Sequence, residues 1–154
     1  MYYAFILGLP ILFSPFGIGQ ILLAFLLLHF ITGLSISLVF QTAHIMPEVS
    51  FPQANENGVV EGERILHQLA TTSNYSEKSP LFSWMIGGLN YQIEHHLFPD
   101  ICHVHYRNIA PIVKATAAEF NIPYYTKKTF FDALKAHANM LYQLGRLEVQ
   151  PVKV

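Results

Sequence analysis

Polar and apolar positions are divided unevenly along this 154-residue chain. Met1 to Pro47 holds no Asp, Glu, Lys or Arg, and every charged residue lies from Glu48 onward. Within the uncharged stretch, Ile18 to Phe40 is a run of 23 residues dominated by Ile, Leu and Phe. As a helix it would reach ~34 Å, enough to cross a hydrocarbon core of about 30 Å. Ala4 to Phe13 is equally apolar but would cover only ~15 Å, and Pro10 interrupts it. Ser14, Pro15 and Gly17 then signal a turn. The pattern predicts a helical hairpin, with a shortened transmembrane arm over 1–16 and a full one over 18–43. The first arm reads as a helix without its beginning, so Met1 is expected to be an internal start in a longer protein. The basic n-region and small-residue cleavage site of a signal peptide are not found.

Beyond the second arm the pattern becomes mixed. Residues 47–62 (PEVSFPQANENGVVEG) form a polar, turn-rich linker. A short helix is predicted from Val60 to about Thr72. Ser79-Pro80 offers an N-cap followed by proline at the first helical position, and the segment to Phe98 is uncharged until Glu94 and closed by Pro99. It is expected to lie against the membrane or dip into it, with Gly87-Gly88 marking a bend or a close approach by another backbone. Asn108 to Phe120 predicts an amphipathic helix stopped by Asn121-Ile122-Pro123. Thr129 with Asp132 resembles a capping box that opens a last helix to Leu144, with Gly145 at its end. There are no repeats and no β pattern longer than a few residues. The expected fold class is all-α: an integral membrane hairpin, a membrane-associated helical region over 44–127, and an amphipathic helix and tail over 128–154. All nine Lys and Arg follow the second arm, which places this region in the cytoplasm under the positive-inside tendency.

Composition sharpens the reading. Charged residues make up 12% of the chain and hydrophobic ones 52%, with mean hydropathy +0.33, against roughly 25% charged in soluble domains. The net charge of −1 and pI near 6.7 provide no basic footprint for nucleic acid. Cys102 stands alone, which excludes an internal disulfide framework and a Cys-rich metal site. Eight histidines make imidazole chemistry the main question.

Gln92, His95 and His96 fall within one helical turn, on an arc of roughly 100°. Two imidazoles and an amide converging there make half of a metal site, or else a surface pair. The pair ends an otherwise apolar segment, where unpaired imidazoles are costly to desolvate.

The run from Gly87 through Asn90, Gln92, Glu94, His95 and His96 to Pro99 (GGLNYQIEHHLFP) resembles the third histidine box of membrane fatty acid desaturases. Its glutamine-first form is similar to the front-end and linoleoyl-CoA branch. The flanks agree: Phe40 to His44, His67-Gln68 with Thr71, Thr72 and Asn74, and His103 to Tyr106. The resemblance implies an oxidoreductase of lipid metabolism that introduces a double bond into a long acyl chain carried by CoA or a lipid. It implies two iron ions, dioxygen as oxidant and an electron donor such as a ferredoxin or a cytochrome-b-like haem protein. Residue by residue, His95 and His96 match third-box ligands and His44 matches a ligand at a helix end. Gln92 stands where other branches have histidine, ligating through its amide oxygen or through water. His67, Asn90 and Glu94 are candidates for supporting the ligands or lying on the substrate side, Glu94 with solvation as its alternative. His103 and His105, read as an extended segment, are expected to bond locally, with ligation as the alternative. His29 is expected to pack with one hydrogen bond or line an acyl channel, and His137 to be solvated.

The first two boxes of the family, HxxxH and HxxHH, do not occur here. By ligand count the chain carries half a di-iron site, and alone it is not expected to desaturate. The scaffold also serves sphingolipid desaturases and hydroxylases, and a catalytically empty, truncated membrane protein is the reading from another class.

Overall fold

The computed structural model describes residues 1–60 and 62–146. Glu61 of the linker and the tail beyond Arg146 lie outside the described residues. The chain divides into two compact units, Met1–Leu38 and the part from Val39 onward.

The first unit holds helix α1 (Ala4–Phe13) and most of helix α2 (Ile18–His44). Pro10 does not interrupt α1. A proline lacks the donor for its helical bond and crowds the carbonyl four residues back, and the widened π-type winding of Ala4–Gly8 directly precedes it. After the Ser14–Pro15 turn, the Gln20 side chain accepts a bond from the Gly17 N–H at 3.0 Å and steadies the start of α2. The 27 residues of α2 measure ~40 Å. Leu23, Leu26, Phe30 and Ile31 are exposed around it, as expected of a surface meant for lipid. It is long and apolar enough to cross a membrane. The ring of His29 donates from Nδ1 to the Phe25 carbonyl at 2.7 Å and bonds the Tyr2 hydroxyl at Nε2.

The second unit begins with the last turns of α2 and continues through α3 (Arg64–Ala70), β1 (Ser73–Tyr75), α4 (Pro80–Met85), α5 (Gln92–Leu97), α6 (Tyr106–Glu119), β2 (Tyr125–Lys127) and α7 (Phe130–Gly145). The architecture is mostly helical but not all-α. β1 and β2 pair in parallel, with Ser73 opposite Tyr125, Asn74 opposite Thr126 and Tyr75 opposite Lys127. Strands of three residues are too short to display an alternating pattern, which is why the sequence concealed them.

The segment from Ser79 to Phe98 forms two short helices, α4 and α5, with more than a bend between them. Ser79 accepts from the Phe82 N–H and Pro80 opens α4 as expected, but Gly87 and Gly88 take φ of +62° and +72° and end the helix. The close approach at Gly88 comes from a side chain: a Cβ there would sit 2.9 Å from Cβ of His103. His103–His105 forms a 3₁₀ turn leading into α6, not an extended segment. Gly88→Ala would impose both the left-handed backbone cost of about 1–2 kcal/mol and that clash. Its thermal unfolding midpoint in detergent is expected to fall by several degrees, against little change for Gly145→Ala, where a Cβ meets open space.

The core of this unit gathers Ala43, Met46, Val49, Tyr75 and Ala133, with Phe82 and Phe130 packed against it. Tyr75 stacks at 5.4 Å on Phe130 and donates its hydroxyl to the Val39 carbonyl at 2.8 Å. Helix α7 opens with the expected capping box of Thr129 and Asp132. The expectation of a solvated His137 fails. His137 is buried, and its Nδ1 donates to the Ile45 carbonyl at 3.0 Å. The face it occupies is the one that α7 lays on the core, with Ala133 and Met140.

Candidate metal centre

Three segments meet where the candidate histidines stand: the end of α2, the end of α3 and helix α5. His44 occupies the last position of α2, and its Nδ1 lies 3.3 Å from the Thr71 carbonyl, just past α3. A carbonyl only accepts, so Nδ1 carries the proton and Nε2 presents its lone pair. That lone pair faces Nε2 of His96 at 3.3 Å, and the two rings meet edge-on at 5.0 Å. A carbonyl bonded to the far nitrogen is the usual arrangement for orienting a ligating imidazole. Burial, followed by the neighbouring His44, His95 and Arg64, pulls the His96 pKa down to about 4. The ring is therefore neutral near pH 7, the form in which it can ligate.

Gln92 is buried against this pair, its amide within reach of the His44 ring. Neither its Oε1 nor its Nε2 makes a hydrogen bond of good geometry. Leaving such a group unsatisfied costs about 1–3 kcal/mol. His95 is the next residue along but turns aside, its Nδ1 lying 3.4 Å from the hydroxyl of buried Tyr106. Its ring is 5.4 Å from that of His96. The structure thus brings together His44, His96 and Gln92, and holds His95 at their margin.

The remaining candidates separate. His67 is half-buried on α3, and its ring joins none of these contacts. His103 and His105 are exposed, His103 with its Nδ1 4.0 Å from Sγ of Cys102. Asn90 is buried and donates to the Ser76 carbonyl at 3.4 Å, its Oδ1 without a partner. Among the described residues no group of three His, Cys, Asp or Glu side chains is gathered closely enough to hold a metal ion.

Glu94 is buried, which disposes of its solvated alternative. Its carboxyl accepts from Asn74 Nδ2 at 2.7 Å and from the Tyr124 hydroxyl at 2.9 Å. Burial raises its pKa, and those two bonds oppose the shift. Burial, then the charges of Glu94 and Glu77, push the Tyr124 phenol upward too, so it stays a donor. Asn74 Oδ1 in turn accepts from the Ile93 N–H at 2.9 Å. Tyr124 is a site residue that sequence reasoning missed. A carboxylate on an apolar segment signals that donors exist, but nothing local says that one comes from twenty residues upstream and the other from thirty residues downstream.

A mostly helical fold with one candidate membrane span among the described residues, and an imidazole at the end of that helix facing a second on α5, defines a class of membrane-bound, histidine-bearing proteins. The chain belongs to the fatty acid desaturase family, whose sequence model matches residues 1–128. It is 40% identical over 148 residues to the acyl-lipid (8-3)-desaturase of Physcomitrium patens, covering 96% of this chain and 31% of that protein. It is 36% identical over 136 residues to the acyl-lipid (8-3)-desaturase of Mortierella alpina, covering 88% and 30%. The sn-1 linoleoyl-lipid 6-desaturase of Synechocystis is 31% identical over 147 residues, covering 95% and 41%. The chain therefore spans about a third of the length of the curated relatives it matches. No solved structure matches it.

Proposed function

We propose that this chain supplies part of the iron site and substrate surface of a fatty acyl desaturase, working with the HxxxH and HxxHH boxes that its own sequence lacks. The observation that carries the reading is the His44–His96 pair, with two Nε2 atoms 3.3 Å apart beside a buried, unpartnered Gln92 amide. At metal–nitrogen bonds of about 2.1 Å, nitrogens so spaced can both reach one ion, and imidazole suits iron. In this reading His44, His96 and His95 hold iron, with Gln92 bonding it directly or through water. When bound, the two irons supply the dioxygen-derived oxidant needed to remove hydrogen from an unactivated CH₂. The residues of this chain fix the donors, keep His96 neutral and exclude water through the apolar packing around α5.

The substrate is a long acyl chain on a lipid, in keeping with relatives named as acyl-lipid and linoleoyl-lipid desaturases, or on CoA. A ferredoxin or cytochrome-b-like haem protein delivers the electrons. The test of the reading is iron content. Expressed with a segment carrying the two other boxes, the purified protein should hold two irons. This polypeptide alone should hold fewer than two tightly bound irons. Two tightly held irons on the chain alone would overturn the division of ligands.

The site faces the cytoplasm in this proposal, with Glu48 onward on the same side as the positive charges. A single cysteine at Asn57, in a Cys102→Ser background, should resist a membrane-impermeant maleimide in intact cells and react after permeabilisation. Equal labelling in intact cells would reverse the orientation.

A further inference from the structure

We propose that Asn74 and Tyr124 are positioning residues for the histidine pair, acting through Glu94 and the backbone of α5; the proposal rests on the reading of His44 and His96 as ligands. Helix α5 has six residues and no side-chain N-cap, too few to be stable by itself. What keeps it in place comes from elsewhere in the sequence. Asn74 accepts from the Ile93 N–H, one of the donors a helix start leaves unsatisfied. The same side chain donates to Glu94, and Tyr124 donates to the other oxygen of that carboxyl.

The direction of these bonds matters more than their number. Successive side chains on a helix are about 100° apart, so Glu94 projects from a different face than His95 and His96. A carboxyl gripped on both oxygens from that face opposes rotation of α5 about its axis, the motion that would swing His96 away from His44. Glu77 backs the grip: its Oε1 accepts from Asn74 at 3.2 Å and lies 3.1 Å from the Tyr124 hydroxyl, whose single proton it shares with the nearer Glu94, while its Oε2 accepts from Thr126 at 3.0 Å. The Tyr91 hydroxyl donates to the Glu77 backbone carbonyl at 2.7 Å, tying the residue before α5 to the same frame. Asn74 and Thr126 face each other in the β1–β2 register, and Tyr124 directly precedes β2. The two-stranded sheet is therefore the platform on which the donors are mounted.

The experiment uses the full chain in detergent with Co²⁺ as the probe, read by visible absorption and by the thermal unfolding midpoint. Co²⁺ should bind to wild type and not to the His44→Ala/His96→Ala double variant. Tyr124→Phe and Asn74→Ala should each weaken binding tenfold to a hundredfold, the range for groups that orient ligands. Thr129→Ala, which removes the α7 capping box, should lower the midpoint yet leave Co²⁺ affinity unchanged. Wild-type affinity in both Tyr124→Phe and Asn74→Ala would overturn the positioning role while sparing the ligand reading. Equal weakening by Thr129→Ala would also overturn it, since general destabilisation would then suffice. Co²⁺ binding to wild type no better than to the double histidine variant would overturn the ligand reading, and the proposal with it.

Discussion

Joined to a segment that supplies the two missing histidine boxes, His96→Ala is expected to lower desaturated product more than ~100-fold, beyond the cost of losing a group that merely orients a ligand. The protein should remain in the membrane at normal abundance, because the exposed apolar surface of α2 is untouched. His44→Ala should do the same, since each imidazole supplies one of the two nitrogens that face each other at 3.3 Å. His95→Ala is expected to abolish product too if His95 ligates by turning from Tyr106. Gln92 gives a graded answer. Gln92→Glu keeps an oxygen but adds a negative charge beside the proposed metal pair, and activity should fall steeply. Near-normal activity in Gln92→Ala would reduce the amide to packing. Fatty acid profiles by gas chromatography, normalised to immunoblots of the membrane fraction, make these comparisons.

His137→Ala is expected to destabilise the protein by about 2–4 kcal/mol, combining a lost buried hydrogen bond with the cavity left behind. The residue belongs to α7, far along the chain from the box, and its sequence context suggests a solvated helix face. The structure buries it and bonds it to the carbonyl of Ile45, the neighbour of His44. Its loss should therefore loosen the end of α2 as well as lower the unfolding midpoint. Lys135→Ala, on the exposed side of the same helix, should change the midpoint little. A midpoint in His137→Ala equal to that of Lys135→Ala would show that the buried bond contributes nothing.

The features legible in the sequence were those written in local pattern. The apolar run of α2, the Ser79-Pro80 start of α4 and the Thr129–Asp132 box each depend on residues a few positions apart. The histidine box was legible as a motif, and His44 by resemblance. What escaped was long-range. The β1–β2 pairing unites segments about fifty residues apart, and no strand of three announces its partner. His137 and Glu94 are polar residues whose burial depends on acceptors or donors delivered by other elements. Gly87-Gly88 was readable as a disturbance, but its strength was not: two successive residues at positive φ end the helix rather than bend it. The arc of Gln92, His95 and His96 assumed one helix direction for all three, whereas His95 is drawn aside toward Tyr106.

The parallel pairing of β1 with β2 has a consequence for the order in which the protein is made. Every histidine of the box leaves the ribosome before Tyr124 does, and synthesis proceeds at about 5–20 residues per second. For the roughly 1–6 s between them, α5 is a nascent chain with its imidazoles complete and its frame unbuilt. Closing a loop of this length carries an entropic cost that must be met before the contact rewards it. If His44 and His96 ligate as proposed, metal capture by the growing polypeptide would be loose and correctable until the second strand arrives, and iron loading would be a late event in maturation.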